Sequence, residues 1–247
     1  MTGKRGAHPA SLVALRTRFR KLGTRERARA AQRYFKTGPG EYGEGDVFIG
    51  VAMPPLRRFA REAAATKYMD VLKLLRSRIH EERLLALLLL VQRYEKGDAA
   101  MKARVYRSYL ANTRYINNWD LVDLSAPNIV GAHLLQRSRA PLYRLVKSNS
   151  VWERRIAVLA TFRFIRERDL TDALKIARAL LDDGHDLIHK ATGWMLREIG
   201  KRDRMRAERF LARHCRTMPR TMLRYAIERF PEAKRRRYLH GTAKPKS

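Results

Sequence analysis

Apolar residues recur at three- and four-residue spacing through 81–94, 152–166, 170–181 and 187–201, which predicts amphipathic helices. No segment alternates convincingly as a strand. The best strand candidate is 47–51, and it lies inside a glycine-rich stretch. Apolar segments opening near Arg83, Leu121, Arg154, His189 and Thr221 are separated by roughly 32 to 38 residues, the period of two-helix solenoid repeats. An all-α solenoid is therefore expected. Basic residues stand at the start of four of these segments: Arg83, Arg154 with Arg155, Lys190 and Arg220. Stacking would line the second helices into a positively charged track.

The segment 37–55 breaks the helical order. Gly38, Pro39, Gly40, Gly43, Gly45, Gly50, Pro54 and Pro55 suit turns, and Pro54 or Pro55 is placed to open the next helix. No Gly-Lys-Ser/Thr follows, and Glu41, Glu44 and Asp46 are acidic, so the segment is no phosphate-cradling loop. From 233 onward, the run Lys234-Arg235-Arg236-Arg237 reads as a frayed basic extension. The chain is expected to form a single domain over 1–240, with 241–247 a flexible basic tail.

Composition changes the picture more than length does. The 247 residues carry 54 Lys and Arg against 24 Asp and Glu, a formal charge of +30. Hydrophobic content is 45%, so the charge does not signal disorder. A basic excess spread along a globular chain points to nucleic acid, held largely through phosphates. Cys215 is the only cysteine, which excludes an internal disulfide and a Cys-rich zinc site. The apolar run 84–91 is too short to span a bilayer, and the basic N-terminus lacks the apolar stretch of a secretion signal. A soluble cytoplasmic protein associated with the nucleoid is expected, with no membrane partner.

Against this charge, the window 115–136 holds no Lys or Arg, and its only formal charges are Asp120 and Asp123. Trp119 and Asp123 stand four residues apart, so on a helix an indole and a carboxylate share a face. A carboxylate in a polyanion binder makes sense where it meets something positive. The alternatives for Asp123 are a helix cap or an ion pair with Arg155. Pro127 cannot donate to the Asp123 carbonyl, so either the helix bends there or it starts later, and a later start would favour the cap. Asp120 is expected to point away from Trp119 in a structural role.

Several ordered motifs resemble one family: Arg33-Tyr34-Phe35-Lys36, Phe48-Ile49-Gly50-Val51-Ala52-Met53-Pro54, Asn118-Trp119-Asp120-Leu121-Val122-Asp123, Trp152-Glu153-Arg154-Arg155 and Lys190-Ala191-Thr192-Gly193-Trp194-Met195-Leu196-Arg197-Glu198. In order and spacing the chain resembles the AlkD-type DNA alkylation repair glycosylases, all-helical proteins of HEAT-like repeats. That resemblance implies a right-handed solenoid with a basic concave face, excising N3- and N7-alkylated purines from duplex DNA. Carried over by position, Asp123 looks like the family's catalytic carboxylate, and Trp119 and Trp194 like its site aromatics. Arg155 looks like its essential DNA-contacting arginine, and Tyr34 like a tyrosine near the lesion. Arg197, Arg154 and Lys190 are further expected DNA contacts, though Arg197 could equally pair with Glu198.

The chemistry agrees with these roles. An alkylated purine is cationic and leaves without protonation, while charge develops on the sugar beside the carboxylate. Indole faces add cation–π attraction. Trp152, on an apolar stripe with Ile156 and Leu159, is assigned instead to the core. His185 and His189 have metal-like spacing but no evident third ligand, so no metal and no cofactor is expected. The expected activity is that of a monomeric monofunctional glycosylase leaving an abasic site. Its rivals are a noncatalytic repeat protein recognising damaged or branched DNA, and an RNA-binding scaffold.

Overall fold

The computed structural model describes residues 11–241. The basic N-terminus and nearly all of the expected tail 241–247 lie outside these residues. The described chain is all-α, with α1 (Leu12–Arg20), α2 (Arg25–Tyr34), α3 (Met53–Glu62), α4 (Tyr68–Leu75), α5 (His80–Lys96), α6 (Ala99–Leu110), α7 (Trp119–Ala126), α8 (Ala132–Leu134) and α9 (Ala140–Val146). There follow α10 (Val151–Arg166), α11 (Thr171–Ala179), α12 (Asp186–Arg202), α13 (Arg204–His214), α14 (Arg220–Ala226) and α15 (Glu232–Leu239). Among the described residues none of these helices is long and apolar enough to cross a membrane. The described residues form two compact units, divided between Leu121 and Val122.

In the first unit α5 is the organising helix, packed by α3, α4 and α6. Its run from Leu84 to Leu90 is almost wholly buried because neighbours cover it on every side. Each such leucine contributes roughly 1.5–3 kcal/mol by burial. The first turn of α5 is also buried although it is all polar: His80, Glu81, Glu82 and Arg83. Glu82 ties α1 down by ion pairs to Arg16 (3.0 Å) and Arg20 (2.7 Å).

Residues 47–51 do not form a strand. A single parallel bridge joins Val47 to Ile79, and the segment is secured by a side chain instead. The Glu81 carboxylate accepts the amides of Ile49 (3.1 Å), Gly50 (2.7 Å) and Val51 (3.3 Å). Gly50 has φ +77°, and a Cβ there would lie 2.2 Å from the Thr24 carbonyl oxygen. Only glycine meets both demands. As expected, a proline stands in the first turn of α3.

The second unit is built of helix pairs. The helices α10, α12 and α14 pack side by side in order, with α9, α11 and α13 set against them. Close approach depends on small residues: a Cβ on Gly193 of α12 would sit 2.5 Å from the Met222 carbonyl oxygen of α14. Likewise a Cβ on Gly131 would lie 2.3 Å from the Ala160 carbonyl oxygen of α10.

The basic run Lys234-Arg235-Arg236-Arg237 is not frayed. It lies in α15, where Glu232 pairs with Arg235 and Arg236, Lys234 pairs with Glu208, and Tyr238 is buried. Apolar anchoring by Tyr238 and acid partners outweigh the repulsion that the charge pattern alone suggests.

Candidate active site

The helix holding the acidic window starts at Trp119, so Asp123 lies in its interior and caps nothing. Asn118 precedes it, its side-chain oxygen accepting the Trp119 amide at 2.8 Å. The chain passes through a π-helical turn, Pro127–Gly131, in which the Ala132 amide reaches back to the Pro127 carbonyl. Lacking an N–H, proline cannot close the normal ladder onto Asp123, and the wider turn absorbs the mismatch. Asn128 adds a side-chain bond to the Leu124 carbonyl at 2.8 Å.

In the second unit Asp123 meets Arg155 of α10. The guanidinium donates through Nε to Oδ1 and through Nη2 to Oδ2, each at 2.8 Å, and through Nη1 to the Leu187 carbonyl at 2.5 Å. The two side chains differ in placement: Arg155 is 6% exposed and Asp123 19%. The carboxylate is the more exposed of the two. Arg155 therefore reaches no solvent-facing phosphate as it stands.

The other expected DNA contacts are also engaged with acids. Arg154 binds Asp183 at 2.6 Å, and Lys190 binds Asp186 at 2.7 Å. Arg197 pairs with Glu228 rather than with Glu198, which is taken by Lys201 and Arg202. Trp194 is half-buried on α12, its ring tilted 53° against Phe162 at 5.6 Å. Trp152 is half-buried too, at the rim of the core that holds Ile156 and Leu159. His185 caps α12 by accepting the Leu187 amide, and His189 bonds the Asp183 carbonyl. Among the described residues no group of three or more metal-ligating side chains converges.

Trp119 and Tyr34 belong to the first unit, where they join an aromatic group that spacing did not single out. Phe35 lies between two rings, stacked on Phe48 (5.0 Å, 14°) and on Trp119 (5.2 Å, 23°). Tyr34 stands edge-on to Trp119 at 5.9 Å and is 67% exposed. The Trp119 Nε1–H donates to the Tyr42 hydroxyl at 3.3 Å. Phe35, Phe48 and Trp119, with His80, Glu81 and Asp120, line a largely apolar cleft of about 390 Å³.

Beside that cleft His80 is held between two acids. Its Nδ1 lies 3.0 Å from Asp46 and its Nε2 2.8 Å from Asp120, giving Asp120 the expected structural role. Arg83 completes the network on Asp46 at 2.6 Å. Arg83 is thus buried and takes no place on a surface track. Burial alone pushes the His80 pKa down, but hydrogen bonds to Asp120 and Asp46 outweigh it and the pKa rises. Burial pushes Asp46 up, yet the His80 bond and the charge of Arg83 bring it below the usual carboxylate range.

The two signs define a window. His80 contributes fully below its unfolded pKa, and that contribution is lost as pH rises through its raised folded value. Asp46 contributes above its unfolded pKa and loses it as pH falls through its lowered folded value. Urea midpoints of wild type and His80→Gln should therefore differ most between the two unfolded values, about pH 4 to 6.5, and converge at alkaline pH. A difference that grows with rising pH would contradict the network.

The match to a DNA alkylation repair enzyme family model spans residues 15–230. A comparison with curated proteins finds no match. Among solved structures, one described as a predicted DNA alkylation repair enzyme from Enterococcus faecalis aligns with a TM-score of 0.65 at 16% sequence identity. The alignment covers 85% of this chain and 98% of that one, and at such identity it speaks to the fold alone. The family span runs from within α1 past α14 and includes every residue assigned above to the site, so this chain belongs to the DNA alkylation repair enzyme family.

Proposed function

We propose that the protein is a monofunctional DNA glycosylase that hydrolyses the N-glycosidic bond of cationic N3- or N7-alkylpurines in duplex DNA. The observation that carries this reading is the partly exposed Asp123 carboxylate, oriented by a two-point ion pair to the buried Arg155 guanidinium in an otherwise basic protein. Alkylation at N3 or N7 makes the purine a cation, so it departs as a neutral base and takes the bonding pair of the C1′–N bond. The deoxyribose acquires oxocarbenium character, and Asp123 stabilises that charge. Water then adds to C1′ and gives up its proton, leaving an abasic site. Trp119 and Trp194 are the aromatic residues we assign to the lesion and sugar, each contributing about 0.5–2 kcal/mol by cation–π attraction.

In this scheme Arg155 is a positioning residue. It sets the orientation of the carboxylate that stabilises the sugar cation. Its price is electrostatic: a paired carboxylate presents a weaker field than a lone one. That same pairing favours a second reading, in which Asp123 and Arg155 only brace α7 against α10 in a noncatalytic binder of damaged DNA. Tyr34, Arg154, Lys190 and Arg197 serve DNA contact under either reading, the last three by exchanging an acid for a phosphate.

Release of 7-methylguanine or 3-methyladenine from alkylated duplex DNA separates the two. The glycosylase reading expects the free base and an alkali-labile abasic site. Tight binding without release leaves the binding reading in its place.

A further inference from the structure

The cations expected to meet DNA at the site are all paired with acids, but another group has a single acid partner among five cations. A cleft of about 320 Å³ lies between α11 and α13, lined by Lys175, Arg178, Arg206, Arg209 and Arg213 and by no acid. Arg206 makes only a long 3.4 Å contact to Asp203, and Arg209 rests against the Met205 sulfur. Among the described residues no acid pairs with Lys175, Arg178 or Arg213.

The placement is regular. Arg206, Arg209 and Arg213 fall at i, i+3 and i+7 on α13, and Lys175 and Arg178 at i and i+3 on α11, so each helix presents its cations along one face. Phe210 packs against His214 at the base of the cleft, their rings 4.7 Å apart. Burial, helped by the charges of Arg178 from one helix and Arg213 from the other, holds the His214 imidazole below its ordinary pKa. The two rows line one cleft together with His214. Gathering five cations, of which only Arg206 has an acid partner, costs free energy through mutual repulsion, and an anionic ligand relieves it.

Two flanking rows of cations along a groove suit a linear polyanion better than a single small anion. The groove also uses the first helices of the pairs, whereas Arg155, Trp194 and Arg197 stand on the second helices α10 and α12. We propose that the α11–α13 cleft is a second DNA-backbone site, holding phosphates of a duplex segment other than the one engaged at the alkylpurine site. The inference requires DNA as a partner but not glycosylase chemistry.

The test is calorimetric titration of the full chain with a short unmodified duplex, set beside Lys175→Gln/Arg178→Gln/Arg213→Gln. The expected result is two duplexes per wild-type chain and one per variant. The lost event should carry a slope of log affinity against log salt of about −2 to −3, from roughly 0.9 per phosphate contact. The His214 imidazole resonance should titrate at higher pH when wild type is saturated, and should not respond to duplex in the variant. All three substituted side chains are exposed, so the variant is expected to fold. One duplex per wild-type chain, or two per variant, overturns the proposal. So does saturation of the cleft by inorganic phosphate at equal phosphate concentration, or by phosphatidylserine vesicles where duplex fails. Excision from alkylated duplex, followed in parallel, is expected to be unchanged in the variant, so loss of the second event and failure of the glycosylase reading are told apart.

Discussion

Asp123→Asn should lower alkylpurine excision by about a thousandfold. An opposite charge at about 4 Å and an effective dielectric near 20 is worth about 4 kcal/mol, and each 1.36 kcal/mol is about tenfold in rate. Because Arg155 partly neutralises Asp123, this is an upper value, and a loss of about a hundredfold still fits. The same change leaves the buried Arg155 without its anion, which costs up to about 3–5 kcal/mol of stability. The two effects must be measured apart. Single-turnover release of 7-methylguanine by folded enzyme, verified by circular dichroism at the assay temperature, reads the first, and urea unfolding reads the second. Arg155→Lys supplies the check on positioning: it keeps a cation but loses the two-point grip, so excision should fall while DNA affinity changes little. A folded Asp123→Asn enzyme as fast as wild type would leave the pair a brace and nothing more.

Glu81→Gln should be among the most destabilising single changes in the first unit. One carboxylate accepts three successive backbone amides, those of Ile49, Gly50 and Val51. Hydrogen bonds to a charged acceptor contribute about 1.5–3 kcal/mol each, and a buried amide left unpaired costs about 1–3 kcal/mol. Glutamine keeps one oxygen but turns an NH₂ toward donors, so a loss of about 3 kcal/mol is expected. The effect should be local before it is global. The amides of 49–51 should exchange faster in native-state hydrogen exchange, while those of α12 keep their protection. Unchanged protection at 49–51 would show that the bridge between Val47 and Ile79, not Glu81, secures the segment.

Much of the helical frame was legible in the chain. The spacing of apolar residues at 81–94, 152–166, 170–181 and 187–201 corresponds to α5, α10, α11 and α12 within a few residues. The period near 35 residues anticipated the helix pairs of the second unit. Periodicity reports the face a helix must bury, and that is a local property. Where it erred, a contact distant in sequence decided the matter. Residues 47–51 read as a strand because they are apolar and β-branched, but Glu81 takes their amides and leaves no ladder to form. The run at 234–237 read as frayed because Glu208 of α13 becomes a partner of Lys234 only once α13 and α15 meet, and Tyr238 becomes an anchor only once it is buried; the Glu232 pairs are local to α15.

Motif order marked Asp123, Arg155, Trp119 and Trp194, but not what each side chain touches. Their sequence carries the chemistry of a carboxylate, a guanidinium and two indoles, because those depend on residue type alone. It also determines the large positive charge, the helical period and the family to which the chain belongs. Only the tertiary structure decided that Arg155 turns inward to grip Asp123, that Phe35 lies between Phe48 and Trp119, and that His80 sits between two aspartates. The reason is range. Helical periodicity is set by neighbours three and four residues away, whereas the ion pairs of Asp123 with Arg155 and of His80 with Asp120 join residues 32 and 40 apart, at the cost of chain entropy. Which cations keep their charge for a ligand is likewise a question of which acids fold back upon them.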